Sequence, residues 1–315
     1  MLIENRRISN SNPPFVIAEM SGNHSGSLDR ALKITEAAAK AGAHALKLQT
    51  YTAETMTLDI EEREFFIDDP DNLWSGRSLH KLYKVSYTPW EWHEAIFRKG
   101  RQLGMIVFST PFDETAVDFL EELSVPCYKI ASFENNHLPL IKKVASTGKP
   151  IFFSTGMATK EQISEAVEVA RTGGCRDLIL MKCTSAYPAL PEEANILTIP
   201  DMRESFQCDV GISDHTLGIG VPIAAVACGA VAIEKHFTLS RDQGVDAEFS
   251  LEPFELEGLV TETLRAWQAL GRIQYGSTKS EVASERFRRS IYTNRDLQAG
   301  DVLSKENVCI VRPGL

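Results

Sequence analysis

Glu234, Lys235 and His236 stand in a row at the end of the apolar run beginning at Val231. Strand alternation puts Glu234 and His236 on one face and Lys235 on the other. Comparable endings recur along the chain: Glu19; Lys47 and Gln49; Ser109 and Thr110; Lys129, with Ser132 and Glu134 just beyond; Ser154, Thr155 and Gly156; Lys182, Thr184 and Ser185; Ser213, Asp214 and His215. One apolar segment that turns polar has merely reached solvent, but polar groups closing eight such segments call for a common destination.

The residue types suggest what that destination handles. Lys47, Lys129 and Lys182 lie inside apolar segments, where an ammonium is costly without a compensating anion. A phosphate or carboxylate ligand would compensate all three; for any one of them, snorkelling outward or pairing with a nearby glutamate is an equal alternative. Ser154, Thr155 and Gly156 precede a helix start, where hydroxyls, unpaired N–H groups and the helix dipole can bind an oxyanion. His215 and His236 become neighbours only if their segments are adjacent strands. They then suit a first-row divalent ion with open, water-filled positions, Asp214 and Glu234 acting through water or from behind the imidazoles. Manganese, cobalt, magnesium and zinc all fit that chemistry. His24, in "SGNH", is a weaker candidate.

These residues need a scaffold that gathers strand ends. "FVIAEM", "ALKLQT", "MIVFST", "CYKIAS", "IFFST", "LILMKC", "DVGISD" and "VAIEKH" alternate with amphipathic helical segments, a pattern that predicts a (β/α)8 TIM barrel over residues 1–270. Helix starts are legible at "TPWEW", with Thr88 capping, Pro89 at the first helical position and Glu91 completing a capping box, and at "TKEQI", with Thr159 and Gln162. Residues 51–87 form a long excursion after the second strand, read as a lid over the barrel mouth. A polar linker at 271–285 leads to a small module at 286–315, with short strands around an Ala-Gly-Asp turn.

Composition narrows the function. The chain has 315 residues, is 43% hydrophobic and carries a net charge of −10 with both signs interspersed, so it can bury a large core and shows no basic stripe for nucleic acid. Neither a secretory leader nor a membrane-length apolar run is visible. A cytoplasmic protein with no membrane partner is the expectation, and the six scattered cysteines read as reduced core residues.

In order along the chain, "IAEMSGNH", "LKLQTYTAETMTLD", "FSTPFDETAVDFLEEL", "KIASFE", "STGMAT", "KCTSAYP", "GISDHTLG", "IEKHFTL", "FSLEP" and "VRPG" resemble the sialic acid synthase family from about residue 5 to the end. The resemblance implies a barrel followed by an antifreeze-like (SAF) domain, truncated here after the "RPG" turn. It also implies a divalent metal, manganese first, and condensation of phosphoenolpyruvate with an open-chain amino sugar. Carried over by position, His215 and His236 would hold the metal. Glu19, Lys47, Ser109, Thr110, Lys129, Ser132, Ser154, Ser185 (often asparagine in the family) and Ser213 would surround phosphoenolpyruvate. Gln49, Glu134, Tyr187, Asp246 and Arg312 would face the sugar or the reacting centre, with Arg312 reaching in from the other subunit of a domain-swapped homodimer. Glu134, or Glu19 in its place, would handle the proton. The sugar implied is 2,4-diacetamido-2,4,6-trideoxy-L-altrose, against which Met20, Trp74, Phe112 and Phe249 are available apolar side chains. N-acetylmannosamine, the legionaminate precursor and a phosphorylated sugar in an aldolase reaction stand as alternatives. A barrel that only senses sugar is the non-enzymatic one.

Overall fold

The computed structural model describes residues 1–70 and 72–314. The chain forms two compact units, Met1–Leu270 and Gly271–Leu315. In the first, eight parallel strands close into a barrel: β1 Phe15–Glu19, β2 Ala45–Thr50, β3 Ile106–Pro111, β4 Tyr128–Ile130, β5 Ile151–Ser154, β6 Leu178–Cys183, β7 Asp209–Asp214 and β8 Ala232–His236. Closure comes from β8 pairing with β1, in a register that sets His236 beside Glu19. All eight segments read as strands are strands.

Helices α1 Leu28–Lys40, α2 Trp90–Gln102, α3 Glu114–Glu122, α4 Leu138–Ser146, α5 Lys160–Thr172, α6 Thr198–Phe206, α7 Gly220–Ala227 and α8 Pro253–Leu270 alternate with the strands. Outward strand residues such as Val16, Leu46, Val107 and Ile233 share one apolar cluster with buried helix residues such as Ile34, Ile96 and Leu259. At α5 the capping box of Thr159 and Gln162 is formed on both sides. At α2 the expected box is absent. Pro89 occupies the cap position without a side-chain cap bond, because the buried Thr88 hydroxyl lies 3.2 Å from His24 Nε2 instead. His24 thereby belongs to packing. Its ring also meets the edge of Trp92, and burial lowers its pKa to about 4.

Inside the barrel the N-terminal layers are apolar. Phe15 stacks on Phe152, and Phe152 on Phe108, with ring centroids 6.0 and 5.6 Å apart. Ile3, in a two-stranded hairpin (Leu2–Ile3 with Arg6–Arg7), and Ile8, just after it, join the same buried cluster. Polar side chains take over at the C-terminal layer.

The excursion after β2 holds a short helix, Ala53–Met56, a strand pair, Phe66–Ile67 with Arg77–Ser78, and a helix, Leu79–Ser86. It returns to the barrel mouth through Trp74, whose Nε1 donates to the Val245 carbonyl at 3.1 Å. The second unit contains a 3-10 segment, Val282–Phe287, within and beyond the stretch read as linker, and an antiparallel pair, Ser290–Thr293 with Val308–Val311. All six cysteines are unpaired. Among the described residues no helix is long and apolar enough to cross a membrane.

Candidate active site

Alternation decides which strand-end residues meet. Glu19, Lys47, Thr110, Lys129, Ser154, Ser213 and Glu234 follow the inward parity set by Ile17, Ala45, Phe108, Cys127, Phe152, Gly211 and Ala232. Glu234 is the pivot. Lys129 Nζ lies 2.9 Å from each of its carboxylate oxygens, Lys47 Nζ stands 3.6 Å away, and Ser213 Oγ donates at 3.2 Å. Lys47 also sits 2.6 Å from Glu19 and donates to Thr110 at 3.1 Å. Burial pushes the Glu234 carboxyl up, but Lys129 and Lys47 outweigh it and hold the group at about 2. Lys47 is likewise pulled down by burial and raised more strongly by Glu19 and Glu234.

This geometry corrects several expectations. The lysines are compensated from within by glutamates, and only two of the three converge. Lys182 falls between inward Met181 and Cys183, so it points to the outer wall, where Nζ donates to the Cys183 carbonyl at 3.1 Å and to Thr184 Oγ1 at 3.3 Å. Ser109 has the outward parity as well; its hydroxyl lies 2.6 Å from Thr50, which in turn contacts His93. Asp214 turns outward to Lys235, 2.9 Å away, and to Thr216.

His215 and His236 do meet, with ring centroids 5.3 Å apart. His215 Nδ1 lies 2.8 Å from the Thr184 carbonyl; a carbonyl only accepts, so this nitrogen carries a proton. His236 Nδ1 faces Asp246, 3.5 Å away. Asp246 takes the place foreseen for Asp214 and Glu234, and it accepts from the Ser21 hydroxyl, while its backbone N–H donates to Asn23 at 3.1 Å. Ser21 and Asn23 went unassigned in the sequence, although both lie in "SGNH". Tyr187 packs 4.4 Å from His215 and 5.4 Å from Phe249, and the Trp74 ring is 5.9 Å from Tyr187. Of the four apolar candidates, Trp74 and Phe249 stand here. Met20 is in the outer core and Phe112 packs on Tyr51.

Beyond β4, Glu134 Oε2 is buried without a partner. Burial raises its pKa to about 7 against the opposing pull of its own backbone N–H and of Lys129. Ser154 Oγ is also buried and unpartnered. Ser132 Oγ accepts from the Gly156 N–H at 3.2 Å, and a Cβ at Gly156 would lie 2.2 Å from Ser185 Oγ, so glycine is what lets these loops approach. Gln49 is half-buried, in register with Thr110. Arg312 belongs to the second unit, where it is exposed.

Among the described residues no group of three or more His, Cys, Asp or Glu side chains is arranged to hold a metal ion. The mouth therefore offers two imidazoles, a neutralised Glu–Lys cluster, an unpaired titratable carboxyl and free hydroxyls, a set suited to binding anions and moving protons.

Comparison with known proteins bears on what this set does. The chain is 41% identical over 300 residues, 95% of its length and 87% of the relative's, to pseudaminic acid synthase of Campylobacter jejuni subsp. jejuni serotype O:23/36 (strain 81-176). It is 39% identical over 305 residues, 96% of its length and 89% of the relative's, to pseudaminic acid synthase of Helicobacter pylori (strain ATCC 700392 / 26695). The crystal structure of N-acetylneuraminic acid (sialic acid) synthetase from Leptospira borgpetersenii serovar Hardjo-bovis in complex with citrate superposes with a TM-score of 0.80 at 33% identity, covering 90% of this chain and 94% of that one. The sequence model of the NeuB family matches residues 34–275, and with relatives this similar over nearly the whole chain, the protein is a member of the NeuB family, the sialic acid synthases.

Proposed function

We propose that the chain condenses phosphoenolpyruvate with open-chain 2,4-diacetamido-2,4,6-trideoxy-L-altrose and water, giving pseudaminic acid and phosphate. The observation that carries this reading is the buried gathering of Lys47 and Lys129 around Glu234 in the same mouth as the paired histidines, in a chain about 40% identical to pseudaminic acid synthases.

Phosphoenolpyruvate brings a phosphate and a carboxylate to the inner layer, where Lys47 and Lys129 lie deepest and Ser154, Ser132 and Ser213 supply hydroxyls. Glu19, Glu234 and Asp246 outnumber the two ammonium groups by one, so the layer has no surplus positive charge for the incoming anion. A divalent ion fits that deficit and the oriented imidazoles: His215 and His236 would hold it, manganese first, with cobalt, magnesium or zinc as alternatives, and when bound it polarises the sugar's aldehyde oxygen.

The methylene carbon of phosphoenolpyruvate forms a bond to the aldehyde carbon as the C=O π pair moves onto oxygen, which becomes a hydroxyl with a proton matching the one released by the water that adds to the enol-phosphate carbon. Glu134 takes the proton of that water, because its Oε2 is free and its pKa is raised to about 7. Glu19 is engaged by Lys47 and by the Ser21 N–H, which favours Glu134. Phosphate leaves as the tetrahedral carbon collapses, with Lys47 and Lys129 offsetting the charge that develops on it.

We read the second unit as belonging to an antifreeze-like (SAF) domain. Ile273 and Tyr275 are each 94% exposed and Val302 82%, more bare apolar surface than so small a unit carries alone. A homodimer in which this unit closes the partner's mouth and delivers Arg312 accounts for that surface. Unpaired cysteines suit a reducing cytoplasm.

The deciding measurement is phosphate release from phosphoenolpyruvate with each sugar in turn. Release with the trideoxy diacetamido sugar and little with N-acetylmannosamine supports the assignment. Equal or better turnover of N-acetylmannosamine reassigns the substrate, and no release with any amino sugar leaves the sensor reading.

A further inference from the structure

Ser21 is buried and holds its backbone at φ 46°, in the left-handed region where a residue with a Cβ is disfavoured. Such a conformation persists where the surroundings over-determine it, and it gathers at functional sites. The partners that hold Ser21 are both carboxylates. Its N–H donates to Glu19 Oε1 at 3.1 Å, on the side of Lys47, and its hydroxyl donates to Asp246 Oδ2, on the side of His236. One residue thereby joins the Glu–Lys cluster to the histidine pair. The Asp246 backbone is pinned separately: its N–H donates to Asn23 Oδ1 at 3.1 Å and its carbonyl accepts from Ser250 Oγ at 2.6 Å. Asn23 Nδ2 in turn donates to Ser250 Oγ at 2.9 Å and to the carbonyl of Phe237, the residue after His236, at 3.0 Å. These bonds leave the Asp246 carboxylate free to rotate, and the Ser21 hydroxyl is the donor that stops it. The direction of that carboxylate matters, because His236 Nδ1 makes no hydrogen bond among the described residues and the charge 3.5 Å away is what orients the ring.

We propose that Ser21 is a positioning residue for the histidine pair: its hydroxyl fixes the Asp246 carboxylate, which sets how the His236 imidazole is turned. The inference rests on the assignment of His215 and His236 as the holders of a divalent ion. A carboxylate behind a ligating imidazole fixes the ring and raises its basicity, and loss of such a partner costs about 10- to 100-fold in metal affinity. Ser21 acts one bond further out, so its effect belongs at the lower end of that range. Glycine would adopt the same backbone conformation without steric cost. The serine incurs that cost, and what it adds is the hydroxyl.

The experiment measures manganese affinity by calorimetry on metal-free protein, KM for phosphoenolpyruvate at saturating manganese, and thermal stability, for wild type, Ser21→Ala and Ser21→Gly. Ser21→Gly relieves the backbone and should be at least as stable as Ser21→Ala, so folding and the hydroxyl are read apart. Both variants should bind manganese about tenfold more weakly than wild type and regain activity as manganese is raised. KM for phosphoenolpyruvate should stay within about twofold, because the bond to Glu19 is made by the backbone N–H. Wild-type manganese affinity in both variants overturns the role of Ser21 while the metal assignment stands. Weakening in one variant alone assigns the effect to the backbone and also overturns it, as does an equal loss of manganese and phosphoenolpyruvate affinity. A wild-type protein that binds no manganese overturns the metal assignment and this role with it.

Discussion

Lys129 spans the barrel to donate to both oxygens of Glu234, which also receives Lys47 and Ser213. A single carboxylate from β8 thereby sets the positions of two ammonium groups from β2 and β4. Because its folded pKa is about 2, against 4.5 ordinarily, Glu234 contributes stability that is fully present above pH 4.5 and is lost as pH falls toward 2.

Glu234→Gln should therefore lower unfolding free energy at pH 7 by about 3 kcal/mol. The gap from wild type should narrow as the pH is brought from 4.5 down toward 2. Urea titrations at several pH values read this directly, and a gap that persists unchanged in acid would show that Glu234 acts by packing alone.

Glu134 has the opposite sign. Its pKa is raised to about 7, so folding is unpenalised below pH 4.5 and becomes less favourable as pH rises through 7. Glu134→Gln should be more stable than wild type by about 3 kcal/mol at pH 8, equal to it at pH 4, and slower in kcat by about 100-fold or more. The rising limb of the pH–rate profile near pH 7 should vanish with it. A variant that is both active and unstabilised sinks the assignment.

The lysines should separate cleanly. Lys129→Ala is expected to reduce kcat/KM for phosphoenolpyruvate by about 100-fold or more, whereas Lys182→Met, on the outer wall, should stay within about twofold. Comparable losses in both would mean that parity is not what distinguishes them.

His236→Ala should retain its fold by circular dichroism yet bind no stoichiometric manganese in calorimetry, and a chelator should silence the wild type. Undiminished manganese binding by the variant would move the metal elsewhere.

For the dimer, subunits carrying Arg312→Ala are mixed with subunits carrying His236→Ala. Activity in the mixture that neither parent shows supports exchange of the second unit between partners; continued silence argues that Arg312 serves its own barrel or none.

Much of this was readable in the residues, and the exceptions have physical causes. All eight strands and the polar character of their ends followed from local alternation. The same alternation, applied to Ser109 between Phe108 and Thr110, or to Lys182 between Met181 and Cys183, would have excluded both from the interior. The partnership of Glu234 with Lys129 was not locally readable, because it joins strands on opposite sides of a closed barrel. Thr88 misled because a buried histidine competes for its hydroxyl, and neither residue signals the other in sequence.

The stacked Phe15, Phe152 and Phe108 lie one layer below Lys47, Lys129 and Glu234. These rings are a floor of low polarisability, so the charges above have no dielectric relief from below, and their field is directed out through the mouth. Dissolved ions can approach from that side alone, and none fits between groups 2.9 Å apart. Ionic strength should therefore leave the Lys129–Glu234 pair almost untouched.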